Sequence, residues 1–178
     1  VGSEMCIRDR FSIQSVSKTI TATAVMLAAH EKLVDLDAPV TRYLPELTVN
    51  SAFERQPERR ITLRLLLGHA AGFAHEPAVG NNYDCPFPSY QAHQRSIRDT
   101  WLRSPIGARY AYSNCGYDLA AEAVERASGL PFAEYVRTRL FRPLGMATAT
   151  LDTAAVSHST NRAEGSMFGL TRLPAVLP

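Results

Sequence analysis

The sequence predicts a mainly helical body that forms the helical part of a larger fold. Two observations carry this. Apolar residues recur at three- and four-residue spacing along most of the chain, and stretches with strand-like alternation are scarce. At 178 residues, 46% hydrophobic and 20% charged, the chain has the composition of a globular protein and not of a disordered one. That length suffices for one domain with a real core, or for part of a larger domain. No internal repeat or low-complexity tract is visible.

The first helix is expected over residues 15–32, where Ile20, Ala24, Leu27 and Ala28 share a face and Val25 lies beside them. It gives way to "DLDAPVTRYLPEL", in which Asp35, Asp37, Pro39 and Pro45 mark an irregular connection. A short helix follows in "TLRLLLGH", with Thr62 as its N-cap and Gly68 as its stop. Residues 69–88, rich in Gly, Pro and Asn, read as a long loop of the kind that often carries function. Another helix fits 89–103. The loop "RYAYSNCGY" then leads into a helix ending at Gly129, with Leu119, Ala120, Ala123, Val124 and Ala127 on one side. Pro131 suits the first position of the next helix, which runs to about residue 141 before "RPLGM" breaks it. Beyond residue 148 the periodicity fades. Residues 11–13 fit the end of a strand feeding directly into the first helix.

Charge and apolar runs exclude several classes of partner. The formal net charge of +2 comes without any basic block that would neutralise phosphates, so no nucleic-acid partner is expected. The longest apolar run, near residues 25–29, falls far short of a membrane span. Cys6, Cys85 and Cys115 show no metal-ligand spacing and leave the redox compartment open.

The stretch "FSIQSVSKTITATAVM" stands out for its lysine. Lys18 and Lys32 are the only lysines; all other formal positive charge is arginine, which does not release a proton near neutral pH. Ser15 and Lys18 form Ser-x-x-Lys at a helix start. Residues three apart share a helical face, so hydroxyl and ammonium can meet. The helix N-terminus favours a serine alkoxide and disfavours a charged lysine, a reasonable way to make a nucleophile with lysine as its base. The plain alternative is a capping serine followed by a solvated lysine. Two lysines produce this pattern by chance in roughly one chain of seven, so the motif alone decides nothing.

"YSN", residues 112–114, is the second candidate. A tyrosine relays a proton when a neighbouring cation lowers its pKa, and an asparagine amide both donates and accepts. The plain alternative is a turn whose Asn114 caps the following helix.

Together, these motifs resemble those of the serine-active-site family that includes class C β-lactamases, DD-carboxypeptidases, family VIII-type esterases and D-aminopeptidases. "SVSKTITATAVMLAAHEKLVDLDAPVTRYLPEL" is similar to that family's nucleophile helix and the segment after it. "ITLRLLLGHAAGF" resembles its Leu-Leu-x-His-x-Ser-Gly element, with Ala71 where serine is usual. "YAYSNCGYDLAAEAVERASGLPFAEYVRTRLFRPLGM" resembles the second-motif loop and the helices beyond it. The likeness covers about residues 11–146 and, more loosely, the tail.

The resemblance implies an α/β, β-lactamase/transpeptidase-like fold: an antiparallel sheet plus an all-α subdomain, of which these residues hold mainly the helical part. It implies a serine hydrolase acting through an acyl-enzyme on an ester, amide or β-lactam, without metal or cofactor. Ser15 would be the nucleophile. Lys18 and Tyr112 would manage its proton as a coupled unit, and Asn114 would orient substrate and lysine. The Ser15 backbone N–H would be one oxyanion donor. The partner would be a small-molecule or peptide substrate, and the location periplasmic or secreted. A non-catalytic binding module, such as a penicillin-sensing domain with the same cleft, is the alternative from a different class. An all-helical scaffold with chance motifs ranks last.

The family's third motif, Lys-x-Gly or His-x-Gly on a strand across the site, is not found. No lysine follows Lys32, and His158 is followed by Ser-Thr. Residues 1–9, and with them Arg10, back-translate to a transposase-type library adaptor read in frame. The expectation is therefore a scar over 1–10 and a partial domain over 11–178, lacking N-terminal strands and the third-motif strand. Such a piece alone should be unstable and inactive, because its apolar faces lack their sheet.

The remaining singletons are weaker. His69 reads as a loop or helix-end residue. His75, Asp84, Cys85 and His93 share one loop region, but their spacing fits no known zinc pattern. "CPFP" at Cys85 reads as a rigid loop segment, Cys115 as a small helix residue, and Trp101 as core or domain packing.

Overall fold

Alanine and small β-branched residues between residues 17 and 30 favour a helix that can approach another closely. In the computed structural model, which describes residues 10–80, 89–152, 155–156, 158–159, 166–167 and 171–172, this is what α1 (Ser17–His30) does. Ala24, Val25 and Ala28 are fully buried, and α1 packs against α4 (Asn114–Ser128). Three threonines on α1 would be poor helix formers with unsatisfied hydroxyls. Thr19, Thr21 and Thr23 instead donate back to the carbonyls of Val16, Ser17 and Thr19. The helix is shorter than 15–32: a 3₁₀ turn, Gln14–Val16, precedes it, and Lys32 takes the left-handed position after its end (φ 61°). Residues 11–13 form no strand with any described residue.

The connection after α1 buries Val34, Val40, Leu44 and Leu47 while keeping its charges outside, where Arg64 grips Asp37 through two hydrogen bonds of 2.7 and 2.8 Å. α2 (Leu63–Leu67) starts as expected: Thr62 Oγ1 accepts from the Leu65 N–H at 3.3 Å. Gly68 ends it. α3 (Tyr90–Arg98) is capped by Ser89, but it stops at Arg98 and not at residue 103. Beyond it Asn50 and Trp101 form a parallel bridge, so the backbone there has an extended partner to satisfy it. Trp101 is 56% exposed, so of its two expected places, core or domain packing, the core is excluded.

The face predicted for α4 is the one it buries: Leu119, Ala120, Ala123 and Val124 are fully buried and Ala127 packs against them. Gly129 closes α4 in the left-handed region (φ 71°), where a side chain would be strained. Pro131 sits one position before α5 (Phe132–Val136), as its N-cap. Proline has no capping side chain, so Glu125 Oε2 reaches back to accept from the Phe132 N–H at 2.8 Å. A π-helical turn, Arg137–Phe141, continues α5 to the expected end. Two short strands, β1 (Ser166–Met167) and β2 (Thr171–Arg172), pair antiparallel with Ser166 opposite Arg172. "CPFP" lies outside the described residues.

His93 ties three segments together. Its Nδ1 meets the Val79 carbonyl and its Nε2 meets Asp118 Oδ2, each at 3.1 Å, so α3 is held to the loop before it and to α4. Burial lowers the His93 pKa, but the Asp118 bond and charge and the neighbouring carbonyls outweigh it, and the net shift is upward from 6.5. A raised histidine stabilises the fold fully below its unfolded value and loses that contribution as pH rises through the folded one. The urea midpoint is therefore expected to fall from about pH 6.5 upward, and Asp118→Asn should flatten that fall. A wild-type midpoint that climbs over the same span would refute the assignment.

Candidate active site

The packing of α1 on α4 brings two helix N-termini together, each with the partial positive charge of its unpaired N–H groups. Ser15 stands in the 3₁₀ turn that leads into α1, exposed, and Lys18 follows one turn on. Tyr112 and Asn114 come from the start of α4. The residue between them decides how they point. Ser113, not Asn114, is the N-cap of α4: its Oγ accepts from the Gly116 N–H at 3.3 Å and donates to the Ala74 carbonyl at 2.6 Å. Capping is thus satisfied without Asn114, whose amide is left for the cleft. The turn predicted with Asn114 as its cap is corrected accordingly.

The four residues singled out by their motifs meet. The Tyr112 hydroxyl donates to Ser15 Oγ at 2.8 Å, and Lys18 Nζ donates to Asn114 Oδ1 at 2.5 Å. Lys18 Nζ also lies 4.8 Å from the centre of the Tyr112 ring and 5.6 Å from that of Tyr117. Partial burial acts to raise the Tyr112 phenol. The bonds to Lys18 and Ser15 and the lysine's charge more than offset it, and its pKa falls below the ordinary tyrosine value. Once ionised, a phenol in contact with a serine hydroxyl can accept that hydroxyl's proton.

Two further residues complete the cluster. Glu76 Oε1 accepts from Asn114 Nδ2 at 2.6 Å, so the Asn114 amide has its oxygen toward Lys18 and its nitrogen toward a carboxylate. The Asn114 N–H donates to the His75 carbonyl at 2.8 Å, and the His75 ring lies 5.3 Å from that of Tyr112. No residue type or spacing in the sequence marks Glu76. His69 was visible as the histidine of the Leu-Leu-x-His-x-Ser-Gly-like element, with no role assigned beyond a loop or helix-end residue. In the structure its ring stacks on Tyr112, with centroids 4.6 Å apart and planes 30° from parallel. His75 and His93 face different partners, Asp84 and Cys85 lie outside the described residues, and no acidic, histidine or cysteine group able to hold a metal occurs among the described residues. Cys115 is buried, its thiol pushed up to about 12 chiefly by burial, which leaves it protonated and unreactive at neutral pH.

The helices and the facing motif residues together define the β-lactamase/transpeptidase-like class of folds. The family model described as Beta-lactamase matches residues 7–167, and the chain belongs to that family. A crystal structure of a beta-lactamase/D-alanine carboxypeptidase from Yersinia pestis superposes with a TM-score of 0.69 at 27% identity, covering 86% of this chain and 46% of that one. The D-alanyl-D-alanine-carboxypeptidase/endopeptidase AmpH of Escherichia coli is 28% identical over 78% of this chain and 36% of its own length. Esterase EstB of Burkholderia gladioli is 30% identical over 76% of this chain and 37% of its own. The chain thus spans little more than a third of these two curated relatives. The relatives include a carboxypeptidase and esterases, which are hydrolases, and a methylbutanoyltransferase. No helix of the described residues is long and apolar enough to cross a membrane.

Proposed function

We propose that this chain is the helical part of a serine hydrolase that works through an acyl-enzyme on an ester, amide or β-lactam carbonyl. The observation that carries the proposal is the 2.8 Å contact between Ser15 Oγ and a Tyr112 phenol whose pKa the Lys18 ammonium helps to lower. In the reactive state the Tyr112–Lys18 pair, which titrates as one unit, has given up one of its two protons; Ser15 Oγ then attacks the carbonyl carbon and its own proton passes to that pair. The tetrahedral oxyanion draws on the Ser15 N–H and on the positive end of α1. As the carbon–heteroatom bond breaks, the same pair returns the proton to the departing amine or alkoxide. Water then attacks the acyl-enzyme and frees Ser15. Asn114 holds Lys18 through Oδ1 and is itself held by Glu76 through Nδ2.

The surface supports a sheet beyond the helices. Phe11, Ile13, Val16 and Met26, on α1 and its approach, are each about half exposed, an apolar line suited to burial against another layer. With that apolar side uncovered among the described residues, this part by itself is proposed to be inactive. The test uses the full-length protein that carries this chain. Incubation with a fluorophosphonate probe, followed by peptide mass mapping, should place the adduct on Ser15, and Ser15→Ala should abolish it. Reversible binding of a β-lactam with no adduct on Ser15 would instead assign the cleft to a binding module.

A further inference from the structure

We propose that His69 is the positioning residue for Tyr112 and does this work only as a neutral imidazole. The inference rests on the serine-hydrolase function proposed above, but its geometry is independent of substrate. One residue grips the backbone on both sides of the tyrosine. The His69 carbonyl accepts from the Ala111 N–H at 2.8 Å, and its Nδ1 accepts from the Ser113 N–H at 3.1 Å. Between those two bonds, its ring stacks on the Tyr112 ring. Tyr117 and Tyr110 close the other sides of the imidazole, with centroids 5.0 and 5.4 Å away. Tyr112 therefore has little freedom to swing away from Ser15 without breaking a contact to His69.

The tautomer follows from the donor. A backbone N–H can only donate, so the Nδ1 that accepts from Ser113 carries a lone pair and the ring's proton sits on Nε2. His69 also holds a left-handed backbone conformation (φ 56°) that costs a non-glycine residue about 1 kcal/mol or more. That conformation is what turns the chain after Gly68 so that carbonyl and ring face the same loop.

Protonation would undo the arrangement. It removes the acceptor for Ser113 and sets a second cation beside Lys18. The groups around the ring are Lys18 from α1, Tyr110 and Tyr112 from the loop before α4, Tyr117 from α4, and, beyond Tyr112 and Asn114, His75 and Glu76. Glu76 accepts from Asn114 Nδ2. Burial first and then the Lys18 charge hold the His69 pKa below 6.5, outweighing an opposing pull from the Ser113 backbone. A lowered histidine contributes fully above its unfolded value, and its contribution is lost as pH falls toward the folded one.

The test follows Ser15 labelling by a fluorophosphonate probe between pH 5 and 9, a range of about two units either side of neutrality, in the full-length protein. Labelling of the wild type should fall on the acid side with the midpoint at which nitrogen-15 NMR shows His69 gaining its second proton. His69→Asn supplies an acceptor oxygen and tolerates the left-handed backbone. It should stay within about tenfold of wild type at pH 7 and lose that acid limb, whereas His69→Ala should be slower by about a hundredfold at every pH. Urea unfolding of each variant separates misfolding from mispositioning. An Nδ1–H tautomer at pH 7, or an acid limb unchanged in His69→Asn, would overturn the proposal. A wild type not labelled at Ser15 at any pH counts against the hydrolase function itself, a separate result.

Discussion

Lys18→Met is expected to slow acylation of Ser15 by about two to four orders of magnitude. Methionine keeps an unbranched stem of similar length, so the packing beside Tyr112 survives and the loss isolates the ammonium. Two bonds go with it. Asn114 Oδ1 loses its donor, and Tyr112 loses the cation that most strongly lowers its phenol. The Tyr112 pKa should therefore rise, which carbon-13 NMR of the ring carbon bearing the hydroxyl would read directly. Lys18→Arg divides charge from proton transfer, because arginine stays protonated throughout. Substantial recovery in Lys18→Arg would mean that Lys18 acts by its charge and that Tyr112 takes the serine proton. No recovery would mean that the lysine's own proton is needed. An unchanged rate in Lys18→Met would remove Lys18 from the chemistry.

Gly72→Ala is expected to cost about 2–4 kcal/mol of stability, the sum of backbone strain and a steric clash. Gly72 lies at φ 85°, and a Cβ there would overlap the Ser104 carbonyl oxygen, which is backbone and cannot step aside. The neighbouring stitches would open with it. The Arg103 N–H donates to the Gly72 carbonyl at 2.7 Å, and the Gly107 N–H to that of Ala70 at 2.8 Å. These bonds hold the turn that carries His69, so the variant should also slow Ser15 labelling. Gly107→Ala is the control. Its φ is 77° but nothing lies within 4 Å of a Cβ, so only the strain, about 1–2 kcal/mol, should appear. Equal losses in both variants, read from urea midpoints, would rule out the clash at Ser104.

Helix faces and caps were legible because they are local. Apolar residues three and four apart on α1 and α4 can be buried only on one side, and Thr62 and Gly129 act on backbone groups within a turn of themselves. The end of α3 was not legible. Nothing in the residues after Arg98 forbids a helix, and the parallel bridge from Trp101 to Asn50 joins segments about fifty residues apart. The pairing of residues 166–167 with 171–172 escaped notice for a related reason: two-residue strands leave no alternation to read.

At the site, the sequence by itself determined which residue types were on offer: a serine three before a nearly unique lysine, and a tyrosine two before an asparagine. Local rules could also say that the first pair shares a helical face. Only the tertiary structure decided that the pairs meet crosswise, Ser15 with Tyr112 and Lys18 with Asn114, across 97 and 96 residues of chain. The same packing of α1 on α4 relieved Asn114 of capping through Ser113 and brought in Glu76 and His69, for which no local rule predicts a role. A residue's propensity is set by its neighbours in sequence, whereas its pKa and its hydrogen-bond partners are set by its neighbours in space. Those neighbours come into being only once the helices have buried their small-residue faces against each other.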